Sequence, residues 1–207
     1  MTGYIEILVR RAKRWEQLIG KKNPQNLKKS AKLERFVKKG IPMKYRSQVW
    51  MAISGAKLKK DENPNLFNTL LLKKVKMKDQ PVMQQVITIH RKKIYNSDIQ
   101  SLSILIFQIN LDIPRTFPTN MFFKGKDPNS LEQPLFNVLL AFAQVNTEVG
   151  YCQGLNYVAG LLLLVTKNED TSFWLLKTLI EDILPDYYSS GLTGLLLDFK
   201  VLEKIIE

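Results

Sequence analysis

Apolar residues recur along this chain at helical intervals almost throughout. Ile5, Leu8, Ala12, Trp15 and Leu18 fall on one face of a first helix, because a turn of 3.6 residues brings such spacings into line. A second helix is expected after Ser30, turning Leu33, Phe36 and Val37 inward. Gly40 stops it and Pro42 follows, the usual order of a helix-ending glycine and a residue that cannot resume the helix. Tyr45, Val49, Ala52 and Ile53 outline a short third helix. Ser130 and Gln133 have capping-box spacing ahead of Leu131, Leu135, Val138, Leu139, Phe142 and Val145. Residues 154–165 read as a buried helix. Another starts near Thr171, capped by Asp170 or by Thr171 itself, and runs to Leu184, where Pro185 ends it. A last one begins at Thr193, with Leu195, Phe199, Leu202 and Ile206 still in phase when the chain stops. An apolar stripe needs a surface to pack against, and no later segment supplies one. The expectation is an all-α chain that is truncated or depends on a partner.

One stretch breaks the pattern. Between about residues 73 and 107, Lys73, Lys74, Lys76 and Lys78 give way to Val86-Ile87-Thr88-Ile89 and then to residues 102–107, an apolar run with β-branched members. A strand-like excursion, a variable loop and a segment foreign to the rest all remain open there. There are no internal repeats and no low-complexity tracts.

Composition narrows the class. With 207 residues, 45% apolar and 24% charged, the chain can bury a core and is not of the disordered type. A single cysteine, Cys152, excludes an internal disulfide and fits a reducing compartment. Arg10, Arg11, Lys13 and Arg14 interrupt any amino-terminal signal sequence, and the longest apolar run, residues 155–165, falls well short of the roughly 20 residues of a membrane span. A soluble, cytoplasmic protein is expected. The net charge of +12 is unevenly placed: residues 10–60 hold 17 Lys/Arg against Glu16 and Glu34, whereas residues 135–207 hold 4 against 9 Asp/Glu. Without zinc-finger spacing or an RNP-like aromatic motif, the basic region reads as a solvated face with weak attraction to anionic membrane surfaces, not as a nucleic-acid site.

The material for catalysis is sparse. His90 is the only histidine, so metal sites and histidine-based catalytic pairs lack their parts, and His90 itself reads as a surface residue. No phosphate-binding Gly-x4-Gly-Lys loop is present. Two segments stand out. In residues 109–118, Asp112 and Arg115 are one helical turn apart, so the carboxylate can hold the guanidinium, while Pro114 and Pro118 stiffen the chain around it. A braced arginine suits phosphate chemistry, though the same spacing also describes an ordinary surface ion pair. In residues 149–156, Gly150 and Gly154 flank Tyr151, Cys152 and Gln153, with an apolar helix directly after. Gln153 then either projects near a helix start or simply satisfies backbone groups in a turn.

In order, the Ile-x-x-Asp-x-x-Arg of Ile109, Asp112 and Arg115 and the Tyr-x-Gln of Tyr151 and Gln153 resemble the TBC family of Rab GTPase activators. The resemblance extends to Lys39-Gly40-Ile41-Pro42, to Arg46 and Trp50, to Ser172-Phe173-Trp174 and to Leu184-Pro185-Asp186-Tyr187-Tyr188. It runs from about Val9 to the end, apart from roughly residues 73–107. The resemblance implies a basic helical segment over residues 1–38 and the front portion of a TBC domain over 39–207, the family's second helical half being absent. It further implies that Arg115 and Gln153 act in trans on GTP held by a Rab in its GTP state, Arg115 as an arginine finger and Gln153 positioning water. Asp112 would orient Arg115 or touch the partner, and Tyr151 and Gly154 would shape the loop. Arg46 and Trp50 would be scaffold, Trp50 in the core and Arg46 bonding across helices, with Cys152 a packing residue. No metal or cofactor would belong to the chain, since GTP and magnesium come with the Rab. A Rab-binding or scaffolding module that accelerates nothing is the alternative. The setting implied is vesicle trafficking, in the cytoplasm or peripherally on endomembranes.

Overall fold

The computed structural model describes residues 2–20, 27, 30–78, 97–124, 127–189 and 191–206. Among the described residues there are ten α-helices and no strand, as an all-α chain requires. They form two compact units, residues 1–63 and 64–207.

The first unit comprises α1 (Thr2–Ile19), α2 (Ala31–Lys38), α3 (Met43–Ser54) and α4 (Ala56–Glu62). Ser30 caps α2, its hydroxyl accepting from the Leu33 amide at 3.2 Å, which satisfies one of the orphan donors of a helix start. Trp15, Ile19, Leu33, Ile41 and Val49 make the core, with Trp15 edge-on to Phe36 at 5.6 Å. Only the carboxyl-terminal half of the expected α1 stripe is buried, for Ile5 and Leu8 are 59% and 43% exposed. The place foreseen for Trp50 belongs to Trp15: Trp50 is half-buried at the edge of the cluster. Nor, among the described residues, does Arg46 bond across helices. Its Nε donates to the Ile41 carbonyl at 2.9 Å, bracing the start of α3 against the loop just before it.

The second unit runs α5 (Leu66–Lys78), α6 (Ser97–Asp112), α7 (Glu132–Val145), α8 (Leu155–Thr166), α9 (Glu169–Thr178) and α10 (Thr193–Ile206), with 3-10 turns at Ile113–Arg115 and Met121–Phe123. Its centre is α7, whose residues from Leu135 to Ala143 are buried at every position except Asn137, because α5, α6, α8 and α9 all pack on it. Phe67, Phe173 and Trp174 form an aromatic chain with successive centroids 5.3 Å apart. Two expected caps are replaced. Leu131 takes the cap position of α7, so Ser130 accepts from the Glu132 amide at 3.3 Å while Gln133 donates to Asn137, and no reciprocal box forms. In α9 the cap is Asn168, whose side chain accepts from the Thr171 amide at 2.8 Å. The helix then widens into a π-helical turn, Leu179–Ile183, before Pro185. Residues 102–107, open to a strand by sequence, are helical within α6. His90 and Val86-Ile87-Thr88-Ile89 lie outside the described residues. No helix among the described residues is long and apolar enough to cross a membrane.

Candidate functional site

Helix α6 ends at Asp112, and the chain tightens into the 3-10 turn Ile113–Arg115 with Pro114 inside it. Proline lacks an amide proton and holds φ near the helical value, so it costs this turn nothing. Thr116 closes the turn, donating its amide to the Ile113 carbonyl at 3.0 Å and its hydroxyl to the Asp112 carbonyl at 2.8 Å.

Asp112 is only 4% exposed. One of its carboxylate oxygens accepts from Arg115 Nη2 and the other from the Tyr151 hydroxyl at 2.5 Å. A buried carboxylate is tolerable only when its lone pairs are so occupied. The Arg115 side chain remains 52% exposed, held at one nitrogen and open at the rest. Burial, then the hydrogen bond to Asp112 and its charge, push the Tyr151 phenol well above its ordinary pKa, so Tyr151 stays a neutral donor.

The second segment begins where α7 stops. Asn146 accepts from the Val149 amide through its side chain at 3.0 Å and from the Gly150 amide through its carbonyl at 2.8 Å, while its side-chain nitrogen donates to Glu181 at 3.2 Å. Gly150 (φ 58°) and Gly154 (φ 104°) then reverse the chain in left-handed backbone, the region where a Cβ is penalised. Gln153 stands exposed between them, in a turn closed by the Leu155 amide on the Cys152 carbonyl at 3.1 Å. Cys152 beside it is half-buried.

Three side-chain bonds join the segments. Besides Tyr151 to Asp112, Asn156 donates to the Thr116 hydroxyl at 2.8 Å, and the Tyr157 hydroxyl donates to the Arg115 carbonyl at 3.2 Å. Asn156 is 1% exposed, and its other atom accepts from the Gly154 amide at 3.1 Å, so one buried amide fixes both the loop after Gln153 and the turn after Arg115. Tyr157 also stands edge-on to Phe117 at 5.4 Å. The structure thus bonds Asp112, Arg115 and Tyr151 to one another, with Gln153 and Gly154 next along the Tyr151 loop, and leaves the Arg115 side chain half-exposed and Gln153 exposed. Arg46 and Trp50 belong to the first unit.

Sequence reasoning missed Thr116, Asn146, Asn156 and Tyr157. Asn156 carried a usable signal, being the one amide in the otherwise apolar start of α8.

Chemically, the site offers a guanidinium and a carboxamide. Both are donors suited to charge and water, and neither is a nucleophile. Among the described residues no three His, Cys, Asp or Glu side chains cluster so as to hold a metal ion.

The chain belongs to the Rab-GTPase-TBC domain family, whose model matches residues 43–207. It is 37% identical over 206 residues to growth hormone-regulated TBC protein 1-A of Danio rerio, covering 100% of this chain and 50% of that protein. It is 39% identical over 207 residues to growth hormone-regulated TBC protein 1 of Xenopus laevis, covering 100% and 53%. Among solved structures, the Chlamydomonas flagellar RabGAP TBC domain superposes with a TM-score of 0.63 at 28% identity, covering 88% of this chain and 55% of that one. The chain spans about half the length of the curated relatives it matches.

Proposed function

We propose that this chain activates a Rab-family GTPase, with Arg115 and Gln153 supplied in trans to GTP bound by the partner. The observation that carries the reading is the Tyr151–Asp112–Arg115 bridge, which braces a half-exposed guanidinium and ties it through Asp112 to Tyr151, two residues before Gln153. Phosphoryl transfer asks little covalent chemistry of a protein and much positioning and charge stabilisation. Arg115 neutralises charge developing on the transferred phosphoryl group, and Gln153 holds the attacking water. GTP and magnesium stay with the Rab. Membership of the Rab-GTPase-TBC family and similarity to the Chlamydomonas flagellar RabGAP TBC domain support the partner class. Such a partner sets the chain to work in vesicle trafficking, in the cytoplasm or peripherally on endomembranes.

Single-turnover GTP hydrolysis across a panel of GTP-loaded Rab proteins tests this. The chain should accelerate at least one member, and Arg115→Ala should remove a factor of roughly 10³–10⁵, about 4–7 kcal/mol of barrier. Gln153→Ala should also slow the reaction while leaving the urea midpoint in place, since its side chain is exposed. Binding to the Rab with no acceleration would convert the reading to a non-catalytic binding module. Acceleration that survives both substitutions would remove these two residues from the mechanism.

A further inference from the structure

Within the first unit, a recess of about 60 Å³ lies against Trp15 and Phe36, ringed by Arg11 and Arg14 from α1 and by Arg35 and Lys39 at the end of α2. Among the described residues no acidic side chain lines it. None of the four cations has an ion-pair partner among the described residues. Four like-charged side chains lining so small a space repel one another, so the arrangement is improved by an anion. The space holds about four waters, enough for one phosphate group.

Beside it runs a second, larger groove of about 520 Å³, and Arg11 and Gly40 line both. The Trp15 indole holds Gly40 in place, donating to its carbonyl at 3.1 Å. A Cβ on Gly40 would stand 3.7 Å from Arg11 Nη1, so the guanidinium lies over this loop at the junction of the two spaces. The groove is mainly apolar: Tyr4, Leu8, Val9, Ile41 and Met43 line it together with Arg11 and Arg46, and all of the five apolar side chains but Ile41 are at least 43% exposed. Tyr4, Leu8 and Arg11 follow one another at four- and three-residue steps, so this face of α1 passes from apolar to cationic between Tyr4 and Arg11.

We propose that these two spaces form one site for an anionic phospholipid, the headgroup phosphate in the recess and the glycerol–acyl portion in the groove. The adjoining apolar groove favours a lipid over a free phosphate, because a soluble anion would leave those side chains in water. A basic amphipathic helix lying at a bilayer interface is the physical mode this matches. The site stands on the first unit alone and goes beyond the GTPase reading, whose residues lie in the second, so either can fail without the other.

Co-sedimentation of the full chain with phosphatidylcholine vesicles, plain or doped with phosphatidylinositol phosphate, tests the site. Binding should require the doped vesicles. Arg14→Gln with Arg35→Gln should weaken it roughly thirtyfold, at about fivefold per cation near an anionic surface. Lys32→Gln with Lys38→Gln, which removes equal formal charge outside the recess, should weaken binding no more than about fivefold, since Lys38 already pairs with Glu34. Leu8→Ser should weaken vesicle binding but leave binding of soluble inositol phosphate unchanged. Every substituted side chain is exposed, and circular dichroism checks that the helices persist. Equal loss in the two double variants would mean diffuse charge and overturn the site. So would binding to plain vesicles, no binding to doped ones, or indifference to Leu8→Ser, the last pointing to a free-phosphate site.

Discussion

Asp112 spends both carboxylate oxygens inside the protein, one on Arg115 and one on Tyr151, with 4% of its surface left to solvent. The arginine is therefore oriented by a group that solvent scarcely screens, unlike a surface ion pair free to swing. Tyr151 is the unexpected partner, and its raised phenol pKa makes it testable. In the folded chain this proton is held to higher pH than in the unfolded chain. The stabilisation it carries is whole below the unfolded value of about 10 and is lost as pH climbs past it. Tyr151→Phe should cost about 1–2 kcal/mol near neutral pH, the lower part of the range for a bond to a charged acceptor because the ring is half-exposed. Urea unfolding at a series of pH values should show parent and variant converging above pH about 10. A gap that stays constant through that range would mean the phenol does not titrate as the burial and the bond require.

Helix α8 positions the site through its first two turns. Gly154 opens it in left-handed backbone, Asn156 and Tyr157 reach the Arg115 turn, and one turn on Gly160 lets the aromatic pair beneath approach. A Cβ on Gly160 would stand 3.0 Å from Phe117 Cε2 and 3.3 Å from Thr116 Cγ2. Gly160→Ala gains up to about 1 kcal/mol of helix propensity and loses about 1–3 kcal/mol to overpacking, so a net loss is expected. Gly154→Ala meets no atom within 4 Å, and its cost is backbone strain of about 1–3 kcal/mol. Both urea midpoints should fall. Only Gly160→Ala should disturb the near-ultraviolet dichroism of the packed rings, and a Gly160→Ala as stable as the parent would contradict the close approach. Much at this level was legible in the chain. Ser30 and Gly40 bound α2 as their chemistry directs, and the buried face of α7 follows its apolar spacing. The cap of α9 was not, because Asn168, Asp170 and Thr171 are all competent caps and only backbone geometry selects one. The Asn156–Thr116 bond was equally hidden, since partners 40 residues apart leave no local periodicity to read.

Across the whole chain, burial is distributed very unequally among elements with similar apolar content. Helix α7 carries Leu135, Leu139 and Phe142 at 0% exposure, while α10 has an equally regular stripe and buries no residue at all. Phe199, Leu202 and Ile206 of that stripe are 58%, 50% and 77% exposed, and Leu195 is half-buried. Periodicity reports that a helix has an apolar face and says nothing of whether that face is covered. This is why the sequence pattern assigned both helices correctly and could not rank them. The attachment of α10 comes from its first half, where Tyr187 donates to the Asp198 carboxylate and the Gly194 amide bonds the Asp186 carbonyl at 3.3 Å. Stability should follow burial and ignore hydrophobicity as such. Phe142→Ala should cost about 3–5 kcal/mol, the range for emptying a core aromatic site. Phe199→Ser with Leu202→Ser should change the unfolding free energy by no more than about 0.5 kcal/mol per site. Urea denaturation of the two variants beside the parent decides the matter, and serines as damaging as Phe142→Ala would mean that the outer face of α10 is packed in solution.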